Sequence, residues 1–115
     1  MERILGIHLE WYRRHISHMA LALEALEDGD SQAACYHSYQ AVSTLLSGVL
    51  GLDPYSPGPV VKTIGSMLKS AVEILPPGAE SCASALERQY YGGQEGEICV
   101  RCAELLTDLI HQVIK

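Results

Sequence analysis

Apolar residues recur at alternating intervals of four and three positions through the first quarter of the chain. The members of this heptad series are Leu5, Leu9, Tyr12, Ile16, Met19, Leu23 and Leu26. Such spacing puts the side chains on one face of a helix, so the sequence predicts a first helix over residues 2–28 with this face buried. Gly29 suits the end of that helix, and Asp30 or Ser31 suits the N-cap of the next one.

The next segment, residues 31–52, is apolar or small on nearly every face. One stripe holds Cys35, Tyr39, Val42, Leu46 and Val49, and an adjoining stripe of mostly small residues holds Ala34, Ser38, Ala41, Leu45 and Gly48. A helix of this composition has to be surrounded by other helices. Its polar edge consists of Tyr36, His37, Gln40, Ser43, Thr44 and Ser47, and this uncharged rim is typical of a groove or a partner interface. The short connection to the first helix predicts an antiparallel hairpin.

Proline and glycine divide the second half of the chain into three further helices. Three prolines and a glycine between Asp53 and Pro59 exclude regular structure there, and a third helix is predicted over residues 59–75. A short fourth helix contains Ala79, Cys82, Leu86 and Tyr90 and ends at Gly92-Gly93. The last helix covers residues 97–114, with a buried face made of Ile98, Cys102, Leu105, Leu109 and Val113. No strand is predicted.

These elements predict an all-α fold, an up-and-down four-helix bundle with an additional short helix, in a single domain over residues 1–115. The net charge is −6, and the basic residues form no cluster beyond Arg13 and Arg14, which disfavours non-specific binding to DNA and to anionic membranes. No apolar run reaches the length of a membrane span, and the N-terminal residues lack a leader pattern. A cytoplasmic protein is expected.

The four cysteines allow two interpretations. Cys35, Cys82, Cys99 and Cys102 occur mostly at core-like helical positions, so the first interpretation is buried free thiols. The second is a disulfide from Cys82 to Cys99 or Cys102 of the last helix. The Cys99-x-x-Cys102 spacing also occurs in zinc sites, but no second pair exists to complete one. The sequence therefore predicts no metal and no cofactor.

A flank of the first helix carries three histidines and the only tryptophan. His8, Trp11, His15 and His18 lie beside the heptad series rather than on it. His8 is about two turns from His15, which argues against a three-histidine metal site. The remaining interpretations are a homodimer contact and a helix-packing flank, and Trp11 fits the first because tryptophan is enriched among interface anchors.

Two segments resemble a known family. Ala34-Cys35-Tyr36-His37-Ser38-Tyr39-Gln40-Ala41-Val42 is similar to the small-aromatic-His-x-x-Gln-Ala pattern of the HEPN domains, and Ala85-Leu86-Glu87-Arg88-Gln89-Tyr90-Tyr91 is similar to their Leu-Asp-x-x-Tyr segment. HEPN domains are small helical bundles of archaea and bacteria, some of them ribonuclease toxins of toxin–antitoxin pairs, and they are often encoded beside a minimal nucleotidyltransferase. The resemblance implies a homodimer, such a nucleotidyltransferase as partner, and a groove for that partner or a nucleotide. The groove residues would be Tyr36, His37, Gln40, Arg88, Tyr90 and Tyr91.

The chain also departs from the HEPN pattern. Ser43-Thr44 stands where many relatives carry a charged pair, and Tyr91-Gly92-Gly93-Gln94 replaces an Arg-Tyr-Pro triplet. HEPN nucleases resemble one another in a late Arg followed closely by His, whereas Arg101 and His111 here would lie about 15 Å apart along a helix. The sequence therefore predicts a non-catalytic binding protein with no catalytic residues. The alternative is an RNA- or nucleotide-processing enzyme with a degenerate groove around His37 and Tyr90.

Overall fold

Five α-helices and one short hairpin make up the described part of the chain. The computed structural model describes residues 3–4, 6–56 and 63–114. In chain order the elements are β1 (Arg3–Ile4), β2 (Ile7–His8), α1 (Leu9–Glu27), α2 (Ser31–Val49), α3 (Ile64–Ala71), α4 (Ala79–Arg88), a π-helical turn (Gln89–Gly93) and α5 (Gly96–Val113). The all-α class is confirmed.

The first helix begins seven residues later than its periodicity indicates. β1 and β2 pair antiparallel, with Arg3 opposite His8 and Ile4 opposite Ile7, so the prediction that the chain has no strand is wrong here. Gly6 has a φ of +81° in the turn, a conformation that a continuing helix does not contain. His8 then caps α1, because its Nδ1 accepts a hydrogen bond from the Glu10 amide at 3.0 Å.

The buried face of α1 differs from the predicted one. Trp11, His15, Ala22 and Ala25 are buried, whereas Ile16 and Leu23 of the heptad series are 54% and 42% exposed. α1 packs chiefly along α2, and Gly48 of α2 lies so close to Trp11 that a Cβ there would be 3.1 Å from the tryptophan Cβ. Small residues at this seam let the two backbones approach, so the face with the small residues packs inward.

α2 is the central helix, as its composition predicts. Eleven of its 19 residues are buried, and the uncharged edge is partly buried too. Thr44 and Ser47 donate to carbonyls of their own helix, Gln40 O at 2.7 Å and Ser43 O at 2.8 Å, so these two hydroxyls are not part of an open groove. α2 ends three residues before the predicted boundary because Gly51 adopts a φ of +75°.

The connections of α1 and α2 follow their sequence features. Asp30 N→Ala25 O at 2.9 Å and Gly29 N→Leu26 O at 3.2 Å form the C-terminal motif that Gly29 predicts. Asp30 is the N-cap of α2, and its Oδ1 accepts from the Ala33 amide at 3.1 Å. The turn between the helices is therefore fixed by local residues.

One carboxylate of α4 makes hydrogen bonds to both α2 and α3. Glu87 of α4 accepts hydrogen bonds from the Ile64 amide at 2.5 Å and from the Tyr39 hydroxyl at 3.3 Å. Thr63 Oγ1 caps α3 by accepting from the Ser66 amide at 3.0 Å. α3 is shorter than predicted at its C-terminal end, where Val72 is extended, and the predicted start at residues 59–62 lies outside the described residues.

α5 completes the core with a face rotated from the predicted one. Cys102 and Leu109 are buried as expected, but Ile98, Leu105 and Val113 are 37–46% exposed. Its buried residues are Gly96, Cys99, Val100, Cys102, Ala103, Leu106, Leu109 and Ile110. The rotation arises because α5 packs between α2 and α4 and buries two adjacent faces. In the described part of the chain, no helix combines the length and apolarity needed to cross a membrane.

Candidate functional site

Four tyrosines meet where α2 contacts the π-helical turn, and we call Tyr36, Tyr39, Tyr90 and Tyr91 the tyrosine cluster. The rings of Tyr39 and Tyr90 stack with centroids 3.9 Å apart and planes 17° apart. Tyr36 lies nearly parallel to Tyr90 at 6.4 Å, and Tyr91 meets Tyr90 edge-on at 4.8 Å. The cluster therefore presents ring faces and ring edges at a single place on the surface.

The π-helical turn explains why two consecutive tyrosines both reach α2. A π-turn contains one more residue than an α-turn, and such turns are frequent at functional sites. The Gln94 amide donates to Gln89 O at 2.9 Å, and Gln94 has a φ of +54° that ends the turn. The side chain of Gln89 accepts from the Glu95 amide at 2.9 Å, which ties the turn to the start of α5.

A cavity of about 330 Å³ opens between the outer members of the cluster. Its lining consists of Gln32, Tyr36, Tyr90, Tyr91 and Gln94. Tyr36 and Tyr91 are 46% and 69% exposed, whereas Tyr39 is buried beneath Tyr90. The arrangement offers aromatic rings with two side-chain amides, which are both donors and acceptors.

Tyr39 anchors the cluster rather than reacting. Burial, together with the nearby Glu87 carboxylate, raises the pKa of the Tyr39 hydroxyl far above its usual range. The hydroxyl therefore stays protonated and donates to Glu87. Because Glu87 also binds the first amide of α3, the position of the stacked rings is coupled to three helices.

A histidine pair borders the cluster. His18 of α1 and His37 of α2 place their Nδ1 atoms 2.9 Å apart, and the His37 ring contacts Tyr36 edge-on with centroids 5.0 Å apart. Burial and the neighbouring His37 lower the pKa of His18. At neutral pH His18 is therefore uncharged. One of the two Nδ1 atoms donates a hydrogen bond to the other.

A second histidine group is formed around His15, one helical turn before His18 on α1. His15 is buried, and its Nδ1 donates to Ala41 O at 2.8 Å. Burial lowers the pKa of His15, and the hydrogen bond to Ala41 opposes that shift. His111 of α5 donates through Nδ1 to Thr107 O at 2.8 Å, so its Nε2 accepts from the Tyr12 hydroxyl at 2.7 Å. This network joins α1, α2 and α5.

The structure brings together only part of the predicted groove. Tyr36, His37, Tyr90 and Tyr91 lie at one place, but Gln40 and Arg88 do not line the cavity. Arg88 extends along its own helix and donates to Ser84 Oγ at 3.2 Å. The sequence predicted Tyr39 in the apolar stripe of α2 and not among the groove residues. The spacing of Tyr36 and Tyr39, one helical turn apart, was a usable indication.

The flank of α1 divides into separate environments. Trp11 is buried, and its Nε1 donates to Leu52 O at 2.7 Å, while Arg14 lies 5.0 Å above its ring. With His15 buried too, these two residues pack within the chain. His8 caps α1 and His18 pairs with His37, so the helix-packing interpretation describes this flank.

The cysteines agree with the free-thiol interpretation at Cys82 and Cys102 but not at Cys35 and Cys99. A disulfide joins Cys35 of α2 to Cys99 of α5, with Cα atoms 5.0 Å apart. Cys99 thus pairs with Cys35 and not with Cys82, and only Cys82 and Cys102 keep free thiols. Burial and a hydrogen bond with the Cys82 thiol raise the pKa of Cys102 to about 12, so it is a poor nucleophile. A sequence separation of 64 hides this pairing from any local motif.

Other regions of the fold offer weaker candidates for a site. A cavity of about 390 Å³ between α3 and α4 has its charged groups already engaged, since Lys69 lies 3.9 Å from Glu80 and Glu87 binds Ile64. Among the residues that the structure describes, no group of three or more His, Cys, Asp or Glu side chains is arranged to hold a metal ion. Arg101 pairs with Glu97 at 3.1 Å, whereas His111 binds Tyr12, so these two side chains are directed to different partners. The tyrosine cluster is therefore the strongest candidate site.

Comparisons with family models, with curated proteins and with solved structures find no match to this chain.

Proposed function

We propose that this chain is a non-catalytic binding protein whose tyrosine cluster takes the flat ring of a nucleobase. The single observation behind the proposal is the pair of exposed rings, Tyr36 and Tyr91, at a cavity of about 330 Å³ where half-buried Tyr90 stacks on buried Tyr39. Stacking of a base on an aromatic side chain contributes about 1–3 kcal/mol to binding. The side-chain amides of Gln32 and Gln94 at the cavity can donate to and accept from the edge of a base.

The charge of the chain favours a nucleoside or a single nucleotide over a polymer. The net charge is −6, and Arg88, which precedes the π-helical turn, donates to Ser84. A long phosphate backbone would meet an unfavourable field, whereas a nucleoside is recognised through its ring. The buried Tyr39 hydroxyl is not an activated nucleophile either, because its raised pKa keeps it protonated.

Binding of the four common nucleosides, measured by calorimetry, tests the proposal. We expect Tyr36→Ala and Tyr91→Ala each to weaken binding by roughly 5- to 150-fold, which corresponds to about 1–3 kcal/mol. Tyr36→Phe keeps the ring and should bind nearly as well as the wild type. Tyr55→Ala is the matched control, since Tyr55 is 74% exposed and lies outside the cluster. Absence of binding for every nucleoside, or equal binding by Tyr36→Ala, would refute the proposal.

Association with a minimal nucleotidyltransferase remains a hypothesis that rests on the resemblance of the two sequence segments. A pull-down between this chain and the product of a neighbouring nucleotidyltransferase gene tests it. The enzyme alternative, RNA processing at the groove, has its own test. RNA cleavage that is lost in His37→Ala would favour the enzyme over the binding protein.

A second proposal concerns self-association, and a specific observation favours it. The apolar series on α1 is only partly used by the core, since Ile16 and Leu23 are exposed. Tyr12, Met19 and Leu26 pack against the core but remain half-buried. We call these five residues the α1 stripe. A regular heptad stripe fits the same stripe of a second copy. We propose that two copies pair through it, in place of the predicted flank that the fold buries.

The charges beside the α1 stripe favour antiparallel pairing. Arg13 is exposed in the N-terminal half of α1, and Glu24 and Glu27 are exposed in its C-terminal half. In an antiparallel pair each arginine meets the glutamates of the other copy, whereas a parallel pair juxtaposes like charges. Ala20, which is small and exposed, lies near the centre of the stripe and allows close approach.

A further inference from the structure

His18 and His37 are held with two ring nitrogens facing each other across a helix–helix seam. Their Nδ1 atoms are 2.9 Å apart, and the two rings have centroids 5.2 Å apart with planes inclined by 31°. His18 comes from α1 and His37 from α2, which form the most extensive helix contact of the fold. The separation is thus set by backbone packing and not by a flexible loop.

Without a metal, this contact is a hydrogen bond. Between two imidazoles one Nδ1 carries the proton and the other supplies a lone pair, so the two histidines must adopt different tautomers. A metal ion can accept a lone pair from both Nδ1 atoms once the donor ring carries its proton on Nε2 instead of Nδ1. Both imidazoles are then neutral, which is the form that binds metals.

The spacing discriminates between coordination geometries. With metal–nitrogen bonds of about 2.05 Å, two nitrogens at a right angle around the ion are about 2.9 Å apart. A tetrahedral angle would require about 3.3 Å. The separation of 2.9 Å between the two Nδ1 atoms equals the right-angle value. Nickel(II) and copper(II) prefer imidazole ligands in such tetragonal arrangements.

We infer that His18 and His37 form a two-histidine site for a divalent transition metal of tetragonal preference, with nickel(II) or copper(II) as the ion. Both side chains are half-buried, so water can occupy the remaining coordination positions. No third protein ligand is required, which agrees with the lack of a three-residue group in the described part of the chain. The bound ion would link α1 to α2 and stabilise the folded chain.

Titration of tag-free protein with NiCl₂, followed by calorimetry and by thermal unfolding, tests this inference. We expect one ion per chain and a rise in the unfolding temperature. His18→Ala and His37→Ala should each weaken binding by about 10- to 100-fold, since loss of a ligand costs at least as much as loss of a ligand's hydrogen-bond partner. His37→Asn retains a hydrogen-bonding group beside His18 but not the imidazole, so it should lose nickel while keeping the fold.

His8→Asn is the matched control. His8 lies immediately before α1 and caps that helix, and asparagine can keep the cap. This variant should bind nickel as the wild type does. Failure of the wild type to bind nickel, binding retained in His37→Asn, or equal loss in His8→Asn would overturn the inference. Circular dichroism of each variant confirms that a loss of binding is not a loss of the fold.

Discussion

At the scale of single residues, Gly48 sets how closely α1 and α2 approach. A Cβ at this position would clash with the Ile7 side chain and lie 3.1 Å from Trp11 Cβ. Gly48 is therefore required by packing, because its φ is not positive and any residue could adopt its backbone conformation. The sequence placed Gly48 in a stripe of small residues, but only the fold shows what fills the space.

Gly48→Ala should lower the free energy of unfolding by about 1–3 kcal/mol, because the added methyl group overpacks the seam. This loss should exceed the gain of about 1 kcal/mol in helix propensity. Gly65→Ala is the matched control, since Gly65 lies in α3 with no atom within 4 Å of its added Cβ, and it should be neutral or slightly stabilising. Urea denaturation measures both. Equal stability of the two variants would contradict the described seam.

His15 makes stability depend on pH. Burial lowers its pKa in the folded chain below the ordinary histidine value of about 6.5, so the unfolded chain binds more protons as the pH falls through that value. The stabilisation is complete above about pH 6.5 and is lost as the pH falls toward the lowered pKa. His18, whose pKa is also lowered, contributes in the same direction.

Urea denaturation between about pH 8 and pH 5 should show a free energy of unfolding that falls with acidification, because this range spans the ordinary histidine pKa. The slope is at most about 1.4 kcal/mol per pH unit for each histidine. His15→Asn can keep a donor to Ala41 and should lower the slope. An unchanged slope in this variant would mean that His15 does not carry the effect.

At the scale of elements, the Cys35–Cys99 disulfide connects the central helix to the last one. It closes a loop with a sequence separation of 64, and both cysteines belong to the hydrophobic core. Neither cysteine belongs to a local motif with the other. The periodic pattern identified the two helices, whereas the bond depends on how they pack.

Reduction of the Cys35–Cys99 disulfide should lower the free energy of unfolding by about 2–4 kcal/mol, since it releases a long loop in the unfolded chain. Urea denaturation with and without reductant measures the difference. The control is Cys82→Ala combined with Cys102→Ala, which should respond to reductant as the wild type does. Thiol titration of the unfolded wild type without reductant should find free thiols on two of its four cysteines. Four free thiols would show that the bond does not form.

At the scale of the whole molecule, the α1 stripe decides the proposed assembly. Ile16→Asp should convert the dimer to a monomer, because it places a charge in the centre of the apolar contact. Ile74→Asp is the control, since Ile74 is 82% exposed and lies outside α1. Sedimentation equilibrium at micromolar concentration measures the change. A monomeric wild type would refute the proposed dimer.

The charges beside the stripe give an independent test of orientation. Arg13→Glu should weaken an antiparallel dimer, and Glu24→Arg with Glu27→Arg in the same chain should restore it. Weakening without restoration would favour another arrangement of the two copies.

The sequence by itself determined the helices and the local features that begin and end them. Gly29, Asp30 and Gly51 act through backbone conformation and nearby hydrogen bonds, which depend on a few neighbouring residues. Gly29 and Asp30 were recognised from sequence, and Gly51 explains the one boundary of α2 that was misplaced. The all-α class and the central position of α2 follow from periodicity and composition for the same reason.

Only the tertiary structure decided which faces are buried and which side chains meet. The most regular apolar series on α1 proved only partly buried, because the neighbouring face with Trp11, His15 and two alanines packs inward. The tyrosine cluster joins residues about 50 positions apart through a π-helical turn that no simple period indicates. The His18–His37 pair and the Cys35–Cys99 disulfide likewise arise from the packing of separate helices, since contacts between distant residues leave no local pattern.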